Sequence, residues 1–324
     1  MFKLYKSYLC FANNTLYTIL LLRCIINSIP LKKIIEKLWH MVARRRSFME
    51  IINFTKMQGT GNDFIIIDDF EEKYNNLEEL ASKLCDRHYG IGADGILVVR
   101  KSNIADIQMI IINADGSYAS MCGNGIRCFA KYIWIKKYVL GDSIKIETGD
   151  GVKLASICVR DGFAQGVTIN MGKYSFNPKS IPALASKEII NKKLESDHRD
   201  YYITSLLMGV PHTIVFGKLK DYEVEEGKFI ESHDLFPENT NVNFCEVVNK
   251  NMIKVKTWER GAGPTLACGT GSCASVVAAN KLGYTGKKVT VKVPGGVLNI
   301  EIVKEEVLME GPAEITFEGK FYIN

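Results

Sequence analysis

The sequence predicts an α+β fold of two similar domains related by an approximate two-fold, strand-rich and with one central helix in each. Three observations carry that expectation. Many short segments alternate apolar and polar residues at period two, the mark of half-buried strands. Two segments place a cysteine ahead of a glycine-rich turn and a helical pattern: Met121-Cys122-Gly123-Asn124-Gly125-Ile126-Arg127-Cys128 and Ala267-Cys268-Gly269-Thr270-Gly271-Ser272-Cys273. Each helical pattern is followed by a matched strand pair, offset by 146 residues at the cysteines and 145 at the following glycines. Two long units of this kind describe a duplicated domain and not a solenoid, which needs three or more short repeats.

The 324 residues suffice for two domains, and the +5 net charge is unevenly spread. Residues 1–48 hold nine Lys/Arg against the single acid Glu36, a local +8 that leaves 49–324 at −3. A mildly acidic body gives no reason to expect nucleic acid as a partner. The apolar stretch Leu16–Leu22 is interrupted by Arg23 and Asn27 and falls short of the roughly 20 apolar residues of a membrane span. No small-residue cleavage site follows it. We expect no membrane for 49–324. Residues 1–48 are expected to lie outside the fold, as a start-site error with Met49 as the initiator. AGG codons at Arg45-Arg46 would supply a ribosome-binding sequence just upstream of it.

From Met49 the elements follow in order. Glu50–Met57 alternates as a strand, and Met57-Gln58-Gly59 precedes the apolar run Phe64–Ile67. After Cys122, residues Ile126, Phe129, Ala130 and Ile133 recur at helical spacing. The helix is expected to end at a glycine turn before the strand pair 143–148 and 152–154, joined through Gly149-Asp150-Gly151. The second copy repeats this order. Met208-Gly209-Val210-Pro211-His212 precedes Ile214-Val215-Phe216, and the segment after Cys268 (Ala274–Ala279) is small and apolar nearly all round, as a buried helix is. The strand pair 289–293 and 297–300 closes the copy through Pro294-Gly295-Gly296.

None of the nine cysteines form a C-x-x-C pair, so zinc-ribbon and thioredoxin-type readings lack their spacing. The seven cysteines of the body and the glycine turns favour a reducing, cytoplasmic setting. Cys85, Cys158 and Cys245 lie on apolar patterns and Cys128 and Cys273 inside the helices, so all five are expected in the core. Cys122 and Cys268 differ, because each sits at a helix mouth. There the unpaired N–H groups and the positive end of the helix dipole favour thiolate, so their pKa values are expected to fall. If both mouths meet at one bound carboxylate, the two thiols flank its α-carbon. One removes the α-proton as thiolate and the other returns a proton to the opposite face as thiol.

The motifs Gly59-Thr60-Gly61-Asn62-Asp63-Phe64, Asp86-Arg87-His88-Tyr89-Gly90-Ile91-Gly92-Ala93-Asp94-Gly95, Asn113-Ala114-Asp115-Gly116-Ser117, the Cys122 segment, and Glu259-Arg260-Gly261-Ala262-Gly263 before the Cys268 segment resemble the diaminopimelate epimerase family from about Met49 to the C-terminus. The resemblance implies a cofactor-independent isomerase that interconverts LL- and meso-2,6-diaminopimelate in the bacterial route to lysine and peptidoglycan. It implies antiparallel strands wrapped around a central helix in each domain, 49–166 and 167–311, with about 312–324 crossing back to the first, and a homodimer. Cys122 and Cys268 become the acid/base thiols, with His212 and Glu259 tuning them. Gly123, Asn124, Gly269 and Thr270 would hold the reacting carboxylate and amine. Asn62, Asn113, Asn241, Glu259 and Arg260 would recognise the remainder of the substrate.

Each of these has a plainer alternative. Asn62 could form only a turn, Asn241 a loop, His212 a satisfied core position, and Glu259-Arg260 a surface ion pair. No histidine shows ligand spacing, so no metal is expected. Three positions depart from the family: Gly95 where glutamine is frequent, Val210 where asparagine is, and Pro264 where glutamate is. A proline-type racemase is a second enzyme reading, against which the Glu259-Arg260 charges argue. A thiol redox switch is the non-enzymatic one, and it requires a Cys122–Cys268 disulfide.

Overall fold

A parallel strand pair needs a crossover, and a helix is its usual form. That rule explains where the helices of this chain lie. The computed structural model describes residues 50–196 and 198–323, so the expectations for 1–48 and for Met49 as initiator lie outside the described residues. Residues Asn53–Lys320 form one compact unit, which contains both cysteine-capped helices.

The first half begins with the hairpin β1 (Glu50–Gly59) and β2 (Asn62–Asp68), paired antiparallel at Gly59 and Asn62. Strand β3 (Gly95–Arg100) lies parallel to β2, and helix Leu77–Cys85 makes the crossover. Antiparallel β4 (Ile107–Asn113) carries the short β5 (Tyr118–Ala119). Helix Gly123–Lys136 then crosses from β4 to parallel β6 (Ser143–Thr148). The meander β7 (Gly151–Arg160) and β8 (Phe163–Lys173) completes this half.

The second half repeats that order. A short β9 (Lys192–Leu194) leads to the hairpin β10 (Tyr201–Met208) and β11 (Val210–Phe216). Parallel β12 (Asn241–Asn249) is followed by antiparallel β13 (Met252–Glu259) with the short β14 (Gly263–Thr265). Helix Gly269–Lys281 crosses to parallel β15 (Lys288–Val293) and the meander β16 (Gly296–Val303), β17 (Glu306–Gly311). The halves join where β17 pairs with β8, from Gly311 opposite Val167 to Glu306 opposite Lys173. The last strand, β18 (Glu314–Ile323), returns to pair with β1, where Thr316 Oγ1 donates to Lys56 O.

Two helix-bearing halves with the same strand order match the α+β expectation. The four parallel pairs, two in each half, were not foreseen. The apolar spacing after Cys122 reads correctly, since Ile126, Phe129, Ala130 and Ile133 are fully buried. So are Cys273, Ala274, Val276, Ala278 and Ala279 of the second helix. The first helix ends on Lys137 in the left-handed region (φ 57°) and not on a glycine, whereas Gly283 (φ 73°) follows the second. The core thiols Cys85, Cys128, Cys245 and Cys273 are buried, and Cys158 is half-buried.

Candidate active site

Each cysteine is the N-cap of its helix. Cys122 has an extended backbone (φ −141°, ψ 117°) and its Sγ accepts from Gly125 N at 3.4 Å. Cys268 repeats this (φ −108°, ψ 112°), with Sγ accepting from Gly271 N at 3.3 Å. The first residues of the two helices abut. A Cβ on Gly123 would lie 3.4 Å from the Gly269 Cα and 3.1 Å from Met309, and one on Gly269 would lie 3.3 Å from the Gly123 Cα. Only a residue without a Cβ lets two helix N-termini approach this closely.

Both mouths open on one cavity of about 270 Å³. Its wall includes Asn62, Cys122, Gly123, Asn124, Asn241, Glu259, Arg260, Cys268, Gly269 and Thr270. Ten of the twelve residues singled out in the sequence are thereby brought together. Asn113 and His212 do not reach the wall. Asn113 sits at the end of β4, where its Nδ2 donates to Ser117 Oγ at 2.9 Å. His212 is fully buried beside Asn243, with Nδ1 and the Asn243 Nδ2 3.2 Å apart and Nε2 without a hydrogen bond. Burial, with a smaller contribution from the Arg260 charge, pushes its pKa down to about 3, so the ring is neutral. As a core histidine it contacts neither thiol by any hydrogen bond.

The polar residues of the wall are held from behind. Thr60 Oγ1 donates to Asn124 Oδ1 at 3.0 Å, and Asn124 Nδ2 donates to Ala267 O at 3.0 Å, tying the first helix mouth to the residue before Cys268. Asn62 donates to Asp94 at 2.6 Å, and its Oδ1 lies 3.6 Å from the Cys122 thiol. Asn241 accepts from Arg260 N at 2.9 Å and donates to Pro211 O at 2.9 Å, so it shapes the Glu259-Arg260 corner. Those two do not form an ion pair: Glu259 accepts from Thr265 Oγ1 at 2.6 Å, and the Arg260 guanidinium donates to Glu238 O at 2.8 Å. The surface-pair alternative is thereby corrected.

The thiol electrostatics overturn one expectation. Burial pushes both thiols up, not down, and outweighs the N–H donors at the helix mouths. Cys268 is raised well above the ordinary range, with the nearby Glu259 carboxylate adding to the effect of burial. Burial also raises Glu259, against hydrogen bonds from Thr265 and Cys268. The seven cysteines of the body are free thiols, without the disulfide that the redox reading requires.

Eight further residues line the wall: Ser120, Met121, Asp150, Lys153, Met171, Gly209, Val210 and Ala267, of which the sequence marks only Val210, as a departure from the family. Lys153, 13 % exposed, is paired with Asp150 at 2.7 Å on the hairpin after the first helix. The matched hairpin of the second half carries Gly295, whose Cβ would fall 1.9 Å from Thr60 O. A charged tip opposite a glycine tip was the available signal. At Gly95 a Cβ would meet Ile112 O at 2.7 Å, so this backbone has no room for a side chain at that position. Pro264 is exposed on β14 and lies outside the wall. Among the described residues no group of three His, Cys, Asp or Glu side chains could hold a metal.

The family model described as diaminopimelate epimerase matches residues 54–177 and 204–316. A diaminopimelate epimerase of Clostridium perfringens is 54% identical over 271 residues, covering 83% of this chain and 99% of that one. One from Alkaliphilus metalliredigens is 47% identical over 281 residues, with 84% and 98% covered. Among solved structures, a PhzF-family phenazine biosynthesis protein of Bacillus anthracis superposes with a TM-score of 0.62 at 16% identity, covering 85% of this chain and 100% of that one. A probable proline racemase from Agrobacterium radiobacter does so with 0.61 at 13% identity, covering 84% and 93%. At such identities the superpositions speak for the fold alone.

Proposed function

The chain belongs to the diaminopimelate epimerase family, and from that premise we propose how its residues divide the work of the reaction. The protein interconverts LL- and meso-2,6-diaminopimelate without pyridoxal phosphate, in lysine biosynthesis. The observation that carries our reading of the site is the abutment of Gly123 and Gly269, which opens two cysteine-capped helices on one cavity.

A carboxylate bound at the first N–H groups of both helices meets the positive ends of two helix dipoles. Negative charge that develops as the α-proton leaves is stabilised there. In this reading the thiolate of one cysteine takes the α-proton and the thiol of the other delivers a proton to the opposite face. No electrons enter or leave, and the site ends with the two protonation states exchanged. Gly123, Asn124, Gly269 and Thr270 bind the reacting end. Asn62, Asn241, Glu259 and Arg260 meet the distal ammonium and carboxylate, since a carboxylate and a guanidinium suit those two charges. Glu259 also tunes Cys268, its hydrogen-bond partner. Asn113 acts from outside the wall by bracing the turn at Ser117, and His212 acts as a neutral core group behind Arg260.

We also assign 49–166, completed by about 312–324, and 167–311 as the two domains, with the boundary falling inside β8, the strand that pairs with β7 on one side and with β17 on the other. Support comes from the repeated strand order and from the return of β18 to β1. Exposed Ile315 and Phe317 on β18 support self-association as a homodimer, and the free thiols support a cytoplasmic setting.

The test is to incubate the full chain, reduced, with LL-diaminopimelate and in parallel with L-proline, and to separate the stereoisomers. Meso product with unchanged proline is the expected result. Racemised proline and unchanged diaminopimelate would overturn the reading.

A further inference from the structure

The largest fully buried side chain among the described residues is a charged one, Arg127. Its guanidinium donates to Gly123 O at 3.0 Å, to Pro312 O at 3.1 Å and to Thr60 Oγ1 at 3.1 Å. The sulfur of Met309 lies 3.9 Å from Nη1. No carboxylate is among these partners. The backbone is shaped to admit the group, since a Cβ on Gly311 would come within 2.9 Å of Nε and one on Gly59 within 3.2 Å of Nη2. A fully buried cation held on neutral acceptors costs several kcal/mol of lost hydration. Its position suggests what offsets that cost. The carbonyl it holds belongs to Gly123, the residue directly after Cys122, and the Met309 beside it also packs on Gly269.

We propose that Arg127 is the counter-charge of the Cys122 thiolate, a positioning residue that makes Cys122 and not Cys268 the thiol ionised in the resting enzyme. This rests on the two-thiol reading of the site and extends it. The duplication provides the internal control. At an offset of 146 the second helix carries neutral Cys273 where the first carries Arg127. The groups whose charge bears on Arg127 are the thiols Cys122, Cys128 and Cys273. Cys128 and Cys273 are pushed up to about 12 by burial and stay neutral. Around Cys122 the cation opposes burial and the Glu259 carboxylate. Around Cys268 the same carboxylate adds to burial.

The experiment follows the rate of iodoacetamide alkylation at Cys122 and Cys268 against pH, resolved by peptide mass spectrometry on the full reduced chain. In the wild type, the midpoint for Cys122 is expected below that for Cys268; the reverse order would overturn the proposal. Thr60 has a left-handed backbone (φ 53°), which Asn and Asp tolerate better than Thr, so T60D and T60N suit the site. T60D sets a carboxylate against the guanidinium and is expected to raise the Cys122 midpoint by about one pH unit relative to T60N, a tenfold change in ionisation. R127M should do the same and R127K should restore the wild-type profile, with the Cys268 midpoint moving by less. An unmoved Cys122 midpoint in T60D, or equal movement of both thiols, would overturn the counter-charge. These readouts need no turnover. A wild type inactive on diaminopimelate but showing the Cys122 shift would sink the epimerase reading and leave the counter-charge standing.

Discussion

Cys122-Gly123-Asn124-Gly125 and Cys268-Gly269-Thr270-Gly271 share an extended cap, a thiol accepting from the N–H three residues on, and a glycine pressed against its twin. Their surroundings differ. Behind the first mouth lie the Arg127 cation and the amides of Asn62 and Asn124; against the second lie the Glu259 carboxylate and the Thr270 hydroxyl. The backbone repeat supplies two opposed proton-transfer groups, and the unrepeated side chains make them unequal. A single proton shared between two thiols is then biased and not evenly divided.

The largest effect should come from removing either thiol. C122A and C268A are each expected to lower epimerisation by about 10²–10⁴-fold, the usual worth of a general acid or base, measured as meso product formed from LL substrate. Near-wild-type activity in one variant would reduce the pair to a single functional mouth.

Among the described residues only the second half carries a buried imidazole, and this gives it its own acid weakness. The folded-state pKa of His212, about 3, lies below the ordinary 6.5. The unfolded chain therefore takes up the proton first, so stability is full above the ordinary value and is lost as pH falls toward the folded one. Between pH 6.5 and 5 the loss should be about 2 kcal/mol in urea titrations, and smaller in H212Q. Equal losses in the two proteins would show that the ring is solvated.

A comparable and symmetric effect is expected at the glycines. G123A and G269A each drive a methyl against Met309 and the opposite helix, at a cost of about 1–3 kcal/mol in unfolding free energy and with loss of turnover. Strongly unequal costs would mean that the two mouths are not packed alike. The smallest expected effect is asymmetric. E259Q removes the charge that opposes Cys268 ionisation and should lower the alkylation midpoint of that thiol by about one pH unit, with a smaller change at Cys122. A larger change at Cys122 would reverse the assignment of Glu259.

The duplication was legible because it is written in local terms: cysteine, glycine turn, helical spacing and alternating hairpin at a constant offset. Ten wall residues followed from it and from the family motifs. The crossovers were not legible, since β2 with β3 and β4 with β6 pair across long segments that leave no periodic trace. The direction of the thiol pKa values was misjudged because a helix mouth is read from sequence whereas the depth of its burial is not. Arg127 read as one more motif residue, because a buried cation differs from an exposed one only through distant partners such as Thr60 and Pro312. Asp150 and Lys153 were hidden in an ordinary-looking hairpin whose tip happens to meet the cavity.

The central claim is that two thiols act on opposite faces of one carbon, and solvent isotope tests it most directly. LL-diaminopimelate is incubated with the wild-type protein in D2O, and at low conversion both the recovered substrate and the meso product are analysed by mass spectrometry. One deuterium is expected at the inverted α-carbon of the meso product and none in the recovered LL pool, because the proton is taken by one thiol and delivered by another already exchanged with solvent. Deuterium entering both pools at equal rates would contradict it, as would meso product that retains the original proton.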